Sequence, residues 1–369
     1  MTNESLKNTR LKSLDTLRGF DLLWIIGCEY FIRSLAHATH WKWLEFIAIQ
    51  LNHVKWAGFH AYDLVFPLFM FISGVAIHYA ITGKQERGVP NSTLYRKIIR
   101  RAVFLIFLGL LYNGAFGNGF SDLRYASVLA QIGLAYFFTA LIVLHTRRIG
   151  IGILWLAGIL CFIAFMQLEV PVPGVGAGVM TPSGSINTWI DQHLLPGKFY
   201  GGILDQEGLL CNVSAICVTL MGSLAGFILP EGNPATLKKG LKLLFPGMAL
   251  LIIALLISTF YPIIKSMWTV PFDLLTAGIS SLLLALFYFV IDVKKKEKWT
   301  FFFRVIGMNS ITIYIGSRII DFREISSFFL GWLAKPAGAY RESLLMAGVV
   351  ALEWGLLYFL YKKKIFLNV

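Results

Sequence analysis

The sequence has few charged residues and no long hydrophilic segment. Only 14% of the 369 residues are Asp, Glu, Lys or Arg, whereas 57% are apolar and 15% aromatic, and the mean hydropathy is +0.68. A typical soluble domain has about 25% charged residues, so the composition excludes that class. Because no hydrophilic segment is long enough for a separate soluble domain, we predict that residues 1–369 form a single membrane domain.

Cysteine is also scarce. The chain has four, Cys28, Cys161, Cys211 and Cys217, all in or beside apolar runs, and none has the spacing of metal ligands. The pattern therefore predicts neither a disulfide framework nor a zinc site. The expected role of these cysteines is that of small buried apolar side chains.

Apolar runs recur along the whole chain and indicate its fold class. A helix of about 20 mostly apolar residues crosses the hydrocarbon core of a bilayer. We therefore predict an all-α, polytopic transmembrane helix bundle with about ten spans. The spans are placed near 14–34, 61–82, 100–114, 125–146, 149–167, 209–229, 243–262, 270–291, 301–319 and 343–361.

The charge distribution predicts the topology. The net charge of +13 comes from 33 Lys and Arg against 20 Asp and Glu. Cytoplasmic loops of membrane proteins carry an excess of Lys and Arg, so the basic side should be cytoplasmic, with both termini there. The charge thus indicates orientation rather than a nucleic-acid partner. The basic residues concentrate on one side of the predicted spans, in 7–12, 84–101, 147–148, 238–242, 294–298 and 362–364.

Two long loops are predicted on the external side. Residues 35–60 carry apolar side chains at helical spacing and should form an amphipathic helix on the bundle or at the membrane interface. The first half of 168–208 is rich in Pro, Gly and Ser, which argues against helix there. Long loops are often functional, so this one is either a lid over an external site or a plain connector.

Charged residues inside the first predicted span mark a candidate site, because ionisable groups are costly in lipid. Asp15 and Arg18 are three residues apart, so they share a helix face and are expected to pair. Glu29 lies near the external end of the same span, with Arg33 at i+4 as its only local partner. Glu29 should therefore face the external start of the second span.

His53, His60 and Asp63 flank that external start. A carboxylate near a neutral imidazole orients a general base, so we expect His53 to act with Glu29 or Asp63. The segment has no His-x-x-x-His pattern, and no metal is expected.

Polar side chains occur on further predicted spans. Asn309 and Ser310 place an amide and a hydroxyl inside span nine, where Gly307 and Gly316 should allow close packing. Gln131 lies in span four and Arg124 at its external start. Such groups are costly unless they converge, which predicts a polar interior that traverses the membrane. We expect these side chains to bind substrate or a developing oxyanion.

Several motifs together resemble a known family. The chain is similar, in order from about Leu11 to the C-terminus, to the heparan-α-glucosaminide N-acetyltransferase family and its bacterial transmembrane relatives. The motifs are LKSLDTLRGFDLL, NHVKWAGFHAYDLVFPLFMFISG, LRYASVLAQIGLAYFF, IGMNSITIYIG and YKKKIF. The resemblance implies an enzyme of the bacterial inner membrane, forming a homodimer. Such an enzyme moves an acetyl group from cytoplasmic acetyl-CoA to the amine of an external, glucosamine-like amino sugar.

The resemblance also implies site residues. The active histidine of the family falls on His53, and its aspartate falls on Asp63. The family's Ser-x-Asp-x-x-Arg-Gly and Met-Asn-Ser motifs fall on Ser13, Asp15, Arg18 and Gly19 and on Met308, Asn309 and Ser310. The chain has Glu29 where the lysosomal member has asparagine, and His60 where that member has no histidine. The Glu29 departure bears on the identity of the acceptor. The His60 departure makes His60 a weaker candidate for the active histidine than His53.

The CoA phosphates require cations on the cytoplasmic side, and arginine binds phosphate in a bidentate manner. Arg18 with its partner Asp15, Arg100, Arg101 and Arg304 are the candidates. His53 acts either as the general base or as a covalent carrier of the acetyl group, and the residues leave both open.

Two other functions also stay open. An O-acyltransferase of a cell-surface glycan would use the same donor and a hydroxyl acceptor. A proton-coupled amino-sugar transporter would use Glu29, His53 and Asp63 as a proton relay.

Overall fold

The computed structural model describes residues 11–115, 122–146, 148–229 and 235–366, which form α-helices and no β-strand. Lys7, Arg10 and Arg147, which contribute to the predicted topology, lie outside the described residues. The helices are α1 (Lys12–Leu23), α2 (Glu29–Thr39), α3 (Lys42–Gln50), α4 (Val65–Glu86), α5 (Asn91–Tyr112), α6 (Val128–His145), α7 (Ile149–Leu168), α8 (Ile186–Leu194), α9 (Leu209–Ile228), α10 (Leu237–Ile257), α11 (Val270–Phe287), α12 (Thr300–Met308), α13 (Ser310–Ile319), α14 (Phe322–Ala334) and α15 (Arg341–Lys362).

The predicted all-α class is confirmed, and within the described ranges seven helical segments are long and apolar enough to cross a membrane. Each overlaps a predicted span. The predicted spans 14–34, 100–114 and 301–319 are also helical but are not among the seven. The first carries five charged residues, α5 carries four basic residues in its first half, and 301–319 is broken at Asn309. The seven segments are Ala61–Glu86, Val128–His145, Ile149–Leu168, Leu209–Ile228, Leu237–Ile257, Val270–Val293 and Phe322–Lys362.

The apolar helices divide into central and peripheral ones. In α9, 78% of an apolar 18-residue stretch is buried inside the protein, whereas in α7 only 11% of the corresponding stretch is buried. The helices α4 and α11 are mostly buried, as α9 is, whereas α10 is mostly exposed, as α7 is. A helix that is apolar on all sides and still exposed is typical of a lipid-facing position. The core of the bundle therefore lies around α4, α9 and α11.

Two helices are interrupted near the middle of the bundle. The helix that starts with α1 breaks at Ile26 and Gly27, and Gly27 has φ +91°, a left-handed conformation that glycine adopts readily. The second break is at Asn309, between α12 and α13. Irregular backbone at membrane depth is tolerated where it is buried in protein or lines a cavity. Ile25 before the first break and Ser310 after the second line the same cavity.

The helices α1 and α12 pack backbone against backbone. A Cβ atom on Gly307 would lie 2.5 Å from the carbonyl oxygen of Asp15, and one on Gly19 would overlap the carbonyl oxygen of Phe303. The predicted close packing at Gly307 is thus confirmed. At Gly316 the same prediction is wrong for the part of the chain that the structure describes, where no other helix or loop places a heavy atom within 4 Å of the position of a Cβ atom.

We expect Gly19→Ala to lower the thermal unfolding temperature of the protein. The added methyl group must separate two helix backbones, and overpacking of this kind costs about 1–3 kcal/mol. Thermal unfolding in detergent measures the effect. Gly316→Ala is the matched control, since it adds the same atom on a helix with open space around it. Equal unfolding temperatures for the two variants would contradict the proposed packing.

The loops partly follow the sequence expectations. Helix α3 lies within 35–60 as predicted, and Leu44 is buried, but Trp43, Phe46 and Ile49 are exposed. Residues 169–185 are non-helical as predicted, and α8 follows them. Helix α14, which packs on α15, was not predicted.

Candidate active site

A cavity of about 350 Å³ lies at the end of the bundle that carries His53, here called the His53 end, and extends to Ile25 and Ser310 beside the two helix breaks. Its wall combines an apolar part with a polar part, as binding pockets for small molecules usually do. The apolar part is formed by Leu22, Ile25, Val65, Phe66, Phe69, Val128, Leu129, Ile132 and Ile311. The polar part is formed by His53, Tyr62, Tyr112, Arg124, Tyr200, Gln206, Glu207, Lys265, Ser310 and Tyr314.

Backbone hydrogen bonds join the loops at this end. The N–H of Gly58 donates to the carbonyl of Ile263 at 2.9 Å, which ties the segment 51–60 to the segment 258–269. The indole N–H of Trp56 donates to the carbonyl of Met180 at 2.7 Å, and so ties 51–60 to the long loop. Residues distant in sequence thereby meet around the cavity.

His53 and Asp63 form a hydrogen-bonded pair on the cavity wall. His53 Nδ1 lies 2.7 Å from Asp63 Oδ1. Asp63 is fully buried, and its Oδ2 accepts hydrogen bonds from the N–H of His60 at 3.0 Å and that of Val54 at 3.4 Å. The His53 side chain is 51% exposed. A fixed, buried carboxylate thus holds an accessible imidazole.

This geometry decides which imidazole nitrogen can do chemistry. When Nδ1 carries the proton and donates it to Asp63, Nε2 keeps its lone pair, with the Nζ of Lys265 3.5 Å away. The same arrangement orients the base in Ser-His-Asp triads, where the carboxylate holds the imidazole in the useful tautomer. His53 Nε2 is therefore placed to accept a proton or to attack a carbonyl carbon.

Lys265 completes the cluster and was not singled out by the sequence analysis. Its Nζ lies 3.2 Å from Asp63 Oδ1 and 2.9 Å from His53 Nδ1. Burial lowers the pKa of the Lys265 amine, while Asp63 favours its charged form. Lys265 and the Nδ1–H of His53 therefore compete for one carboxylate oxygen. The available signal was a single lysine inside the apolar stretch YPIIKSMW.

Glu29 has a different partner. Its Oε2 lies 3.2 Å from Arg33 Nη1, and its side chain is buried. Glu29 is absent from the described lining of the cavity, whereas Tyr62, whose ring centroid lies 4.8 Å from that of His53, is part of it. The carboxylate hydrogen-bonded to His53 is thus Asp63 and not Glu29.

Arg124 anchors the end of the long loop. Its Nε and Nη2 donate to the two oxygens of Asp205 at 2.7 and 2.5 Å, and Nη2 also contacts Glu207 Oε2. Asp205 accepts two backbone hydrogen bonds as well, from the N–H groups of Tyr200 and Glu207, both at 3.0 Å. Burial raises the pKa of Glu207 to about 7.

Of the polar residues predicted to converge, Arg124 and Ser310 line the cavity and two do not. Gln131 is fully buried, and its Nε2 donates to the carbonyl of Cys211 at 3.0 Å. Asn309 is buried at the break before α13, and neither atom of its amide has a hydrogen-bond partner among the described residues. The described lining comes from the middle and the His53 end of the bundle.

The residues predicted to bind CoA lie away from this cavity. Arg18 Nη1 lies 3.6 Å from Asp15 Oδ1, so the predicted pairing is confirmed. The guanidinium of Arg101 lies 4.3 Å from the centroid of the Tyr136 ring. Arg100 is exposed on α5, and Arg304 lies on α12. None of these five residues is in the described lining. The described residues include no group of three His, Cys, Asp or Glu side chains that could hold a metal ion.

Comparison with known proteins gives related sequences. The chain is 27% identical to "Heparan-alpha-glucosaminide N-acetyltransferase" from Homo sapiens over an alignment of 417 positions, gaps included, that covers 97% of this chain and 59% of that protein. The protein of the same name from Mus musculus is 25% identical, with 97% and 60% covered. The chain thus spans about three fifths of the length of these curated relatives. No protein-family model matches the chain. The chain is thus similar over almost its whole length to proteins named heparan-α-glucosaminide N-acetyltransferase, which is the resemblance that the motifs predict.

Proposed function

We propose that the chain is a transmembrane N-acetyltransferase that moves an acetyl group from acetyl-CoA to the amine of an amino sugar. The observation that carries this proposal is the pairing of His53 with the buried Asp63 on the wall of a cavity large enough for a small substrate. The relationship to curated acetyltransferases supports the reaction class.

The orientation is part of the proposal. The basic segments 84–101, 238–242 and 294–298 connect helices at the end of the bundle away from His53, and the positive-inside rule places that end in the cytoplasm. Counting the interrupted helices and α5 as spans gives about ten, with both termini cytoplasmic. The family resemblance adds the bacterial inner membrane and a homodimer.

The reaction follows from the geometry of His53. An amino sugar arrives mainly as an ammonium ion, and Nε2 of His53 accepts one of its protons. The amine nitrogen then attacks the thioester carbonyl carbon, a C–N bond forms, the C–S bond breaks, and the nitrogen releases its second proton to water, which leaves a neutral amide. The imidazolium returns the proton to the departing thiolate of CoA. Asp63 stabilises the imidazolium while it exists.

A covalent route uses the same atoms in two steps. Nε2 of His53 attacks the thioester first, the C–S bond breaks, and the acetyl group is carried on the imidazole. The amine then attacks the carbonyl carbon, its C–N bond forms as the bond to Nε2 breaks, and the two protons that the ammonium form loses go to the thiolate of CoA and to water. On either route the developing oxyanion needs a donor, and Ser310, whose side chain reaches the cavity wall, is the proposed one.

The donor must reach this cavity from the cytoplasmic side. Arg18, Arg100, Arg101 and Arg304 are the proposed partners of the CoA phosphates, because arginine binds phosphate in a bidentate manner. The apolar part of the cavity wall, with Leu22 and Phe69, suits the acetyl end of the molecule.

The test uses the purified full chain, acetyl-CoA labelled in the acetyl group, and D-glucosamine. We expect label on the nitrogen of the sugar and release of one CoA for each acetyl group transferred. CoA release without glucosamine would support the covalent route. If label appeared only on hydroxyl groups, the chain would be an O-acyltransferase. Movement of glucosamine into proteoliposomes without acetyl-CoA would identify a transporter instead.

A further inference from the structure

We propose that Glu207 binds the ammonium group of the acceptor and thereby selects amines over neutral sugars. This inference rests on the proposed function, and it names the residue of the long loop that recognises the substrate.

The first argument is a surplus of negative charge. Asp205 already satisfies the guanidinium of Arg124 with two hydrogen bonds, and it holds the loop through two backbone N–H groups. Glu207 brings a second carboxylate to the same cation, through an Nη2 atom that Asp205 also uses. Two carboxylates share one arginine, so an ionised Glu207 has no cation of its own, and a buried charge is costly without a partner of opposite sign.

The second argument is the position of Glu207. It is the only carboxylate in the described lining of the cavity, where the other charged or titratable groups include His53, Arg124 and Lys265. Glu207 is itself buried, with 8% of its surface exposed. A cation that enters the cavity can therefore be neutralised at Glu207 and at no other lining group among the described residues.

The chemistry of this position indicates the class of ligand. A protonated primary amine brings both the positive charge that Glu207 lacks and N–H donors for its oxygens. The high pKa that burial gives Glu207 is consistent with a carboxylate that is fully charged only once a cation has joined it. A sugar with a hydroxyl group in place of the amine would leave the surplus charge unbalanced. Glu207 therefore favours N-acetylation over O-acetylation.

The experiment compares the binding of D-glucosamine and D-glucose by calorimetry, with the full chain in detergent. In Glu207→Gln the shape and the acceptor oxygen for Arg124 are kept while the charge is removed. We expect glucosamine affinity to fall at least tenfold, with little change for glucose or acetyl-CoA. Glu207→Asp should recover part of the loss. Asp191→Asn is the matched control, because Asp191 is a buried carboxylate of the same loop that accepts from the N–H of Leu209 and is absent from the described lining.

The outcomes separate the two proposals. If Glu207→Gln binds glucosamine as tightly as the wild type does, or loses glucosamine and acetyl-CoA equally, Glu207 does not recognise the ammonium, and acetyl transfer by the wild type would still stand. If the wild type binds glucosamine no better than glucose, the inference is also overturned. If the wild type binds glucosamine through Glu207 but transfers no acetyl group, the proposed function fails and the ammonium site remains.

Discussion

His53→Ala is expected to lower acetyl transfer to glucosamine by about 10²–10⁴-fold if the imidazole acts as a general base. If the imidazole carries the acetyl group, transfer should be lost entirely. His53 is half exposed, so removing its side chain should change the unfolding temperature little. Initial rates of transfer and thermal unfolding of the same preparation measure the two effects.

His60→Ala is the matched control for this experiment. His60 lies at the same end of the bundle, but its Nδ1 contacts the carbonyl of Asn52 at 2.9 Å, and it is absent from the described cavity lining. Its replacement should reduce the transfer rate less than tenfold. Equal rates for His53→Ala and the wild type, or equal losses of rate in the two histidine variants, would show that His53 has no specific role in the reaction.

Asp63→Asn is expected to reduce transfer about as strongly and, in addition, to destabilise the protein. In a Ser-His-Asp triad the same change lowers the rate about 10⁴-fold, because the amide stabilises the wrong tautomer of the imidazole. Asp63 also faces the ammonium of Lys265, whose side chain is 12% exposed. Removing one partner of a buried ion pair typically costs about 3–5 kcal/mol.

A double variant separates the two consequences of Asp63→Asn. Lys265→Met removes the buried ammonium that Asp63→Asn leaves without a carboxylate. The combination should recover most of the unfolding temperature and none of the transfer rate. If activity returned together with stability, Asp63 would serve the fold alone and would not orient His53.

The sequence predicted the elements of the fold better than their interruptions. Long apolar runs identify membrane helices because a span must be about 20 residues long and satisfy its own backbone hydrogen bonds. The breaks at Gly27 and Asn309 have no comparable signal, since glycine and asparagine also occur inside regular helices. Helix α14 was missed although Asp321 caps its N-terminus, because its 13 residues are too few to span a membrane.

The contacts of the candidate site likewise divide into those that the sequence predicted and those that it did not. His53 and Asp63 could be identified from motifs because they are ten residues apart on one segment. Lys265 lies 212 residues from His53 in the chain, and Glu207 lies 83 residues from Arg124. Neither contact leaves a pattern in the local sequence, because each depends on how the loops of the His53 end fold together. Glu29, the other carboxylate expected to orient His53, contacts its i+4 neighbour Arg33 and Tyr62 at the start of the second span.

Taken alone, the sequence determined that the chain is an all-α membrane protein that resembles a family of acetyltransferases, and that His53 and Asp63 stand together. Composition, run length and motifs carry that information locally along the chain. Only the tertiary structure decided that Asp63 rather than Glu29 holds His53, that Lys265 shares that carboxylate, and that Glu207 faces the cavity. The physical reason is that hydrogen bonds and ion pairs depend on distances of a few ångströms between side chains, and packing of the helices sets those distances.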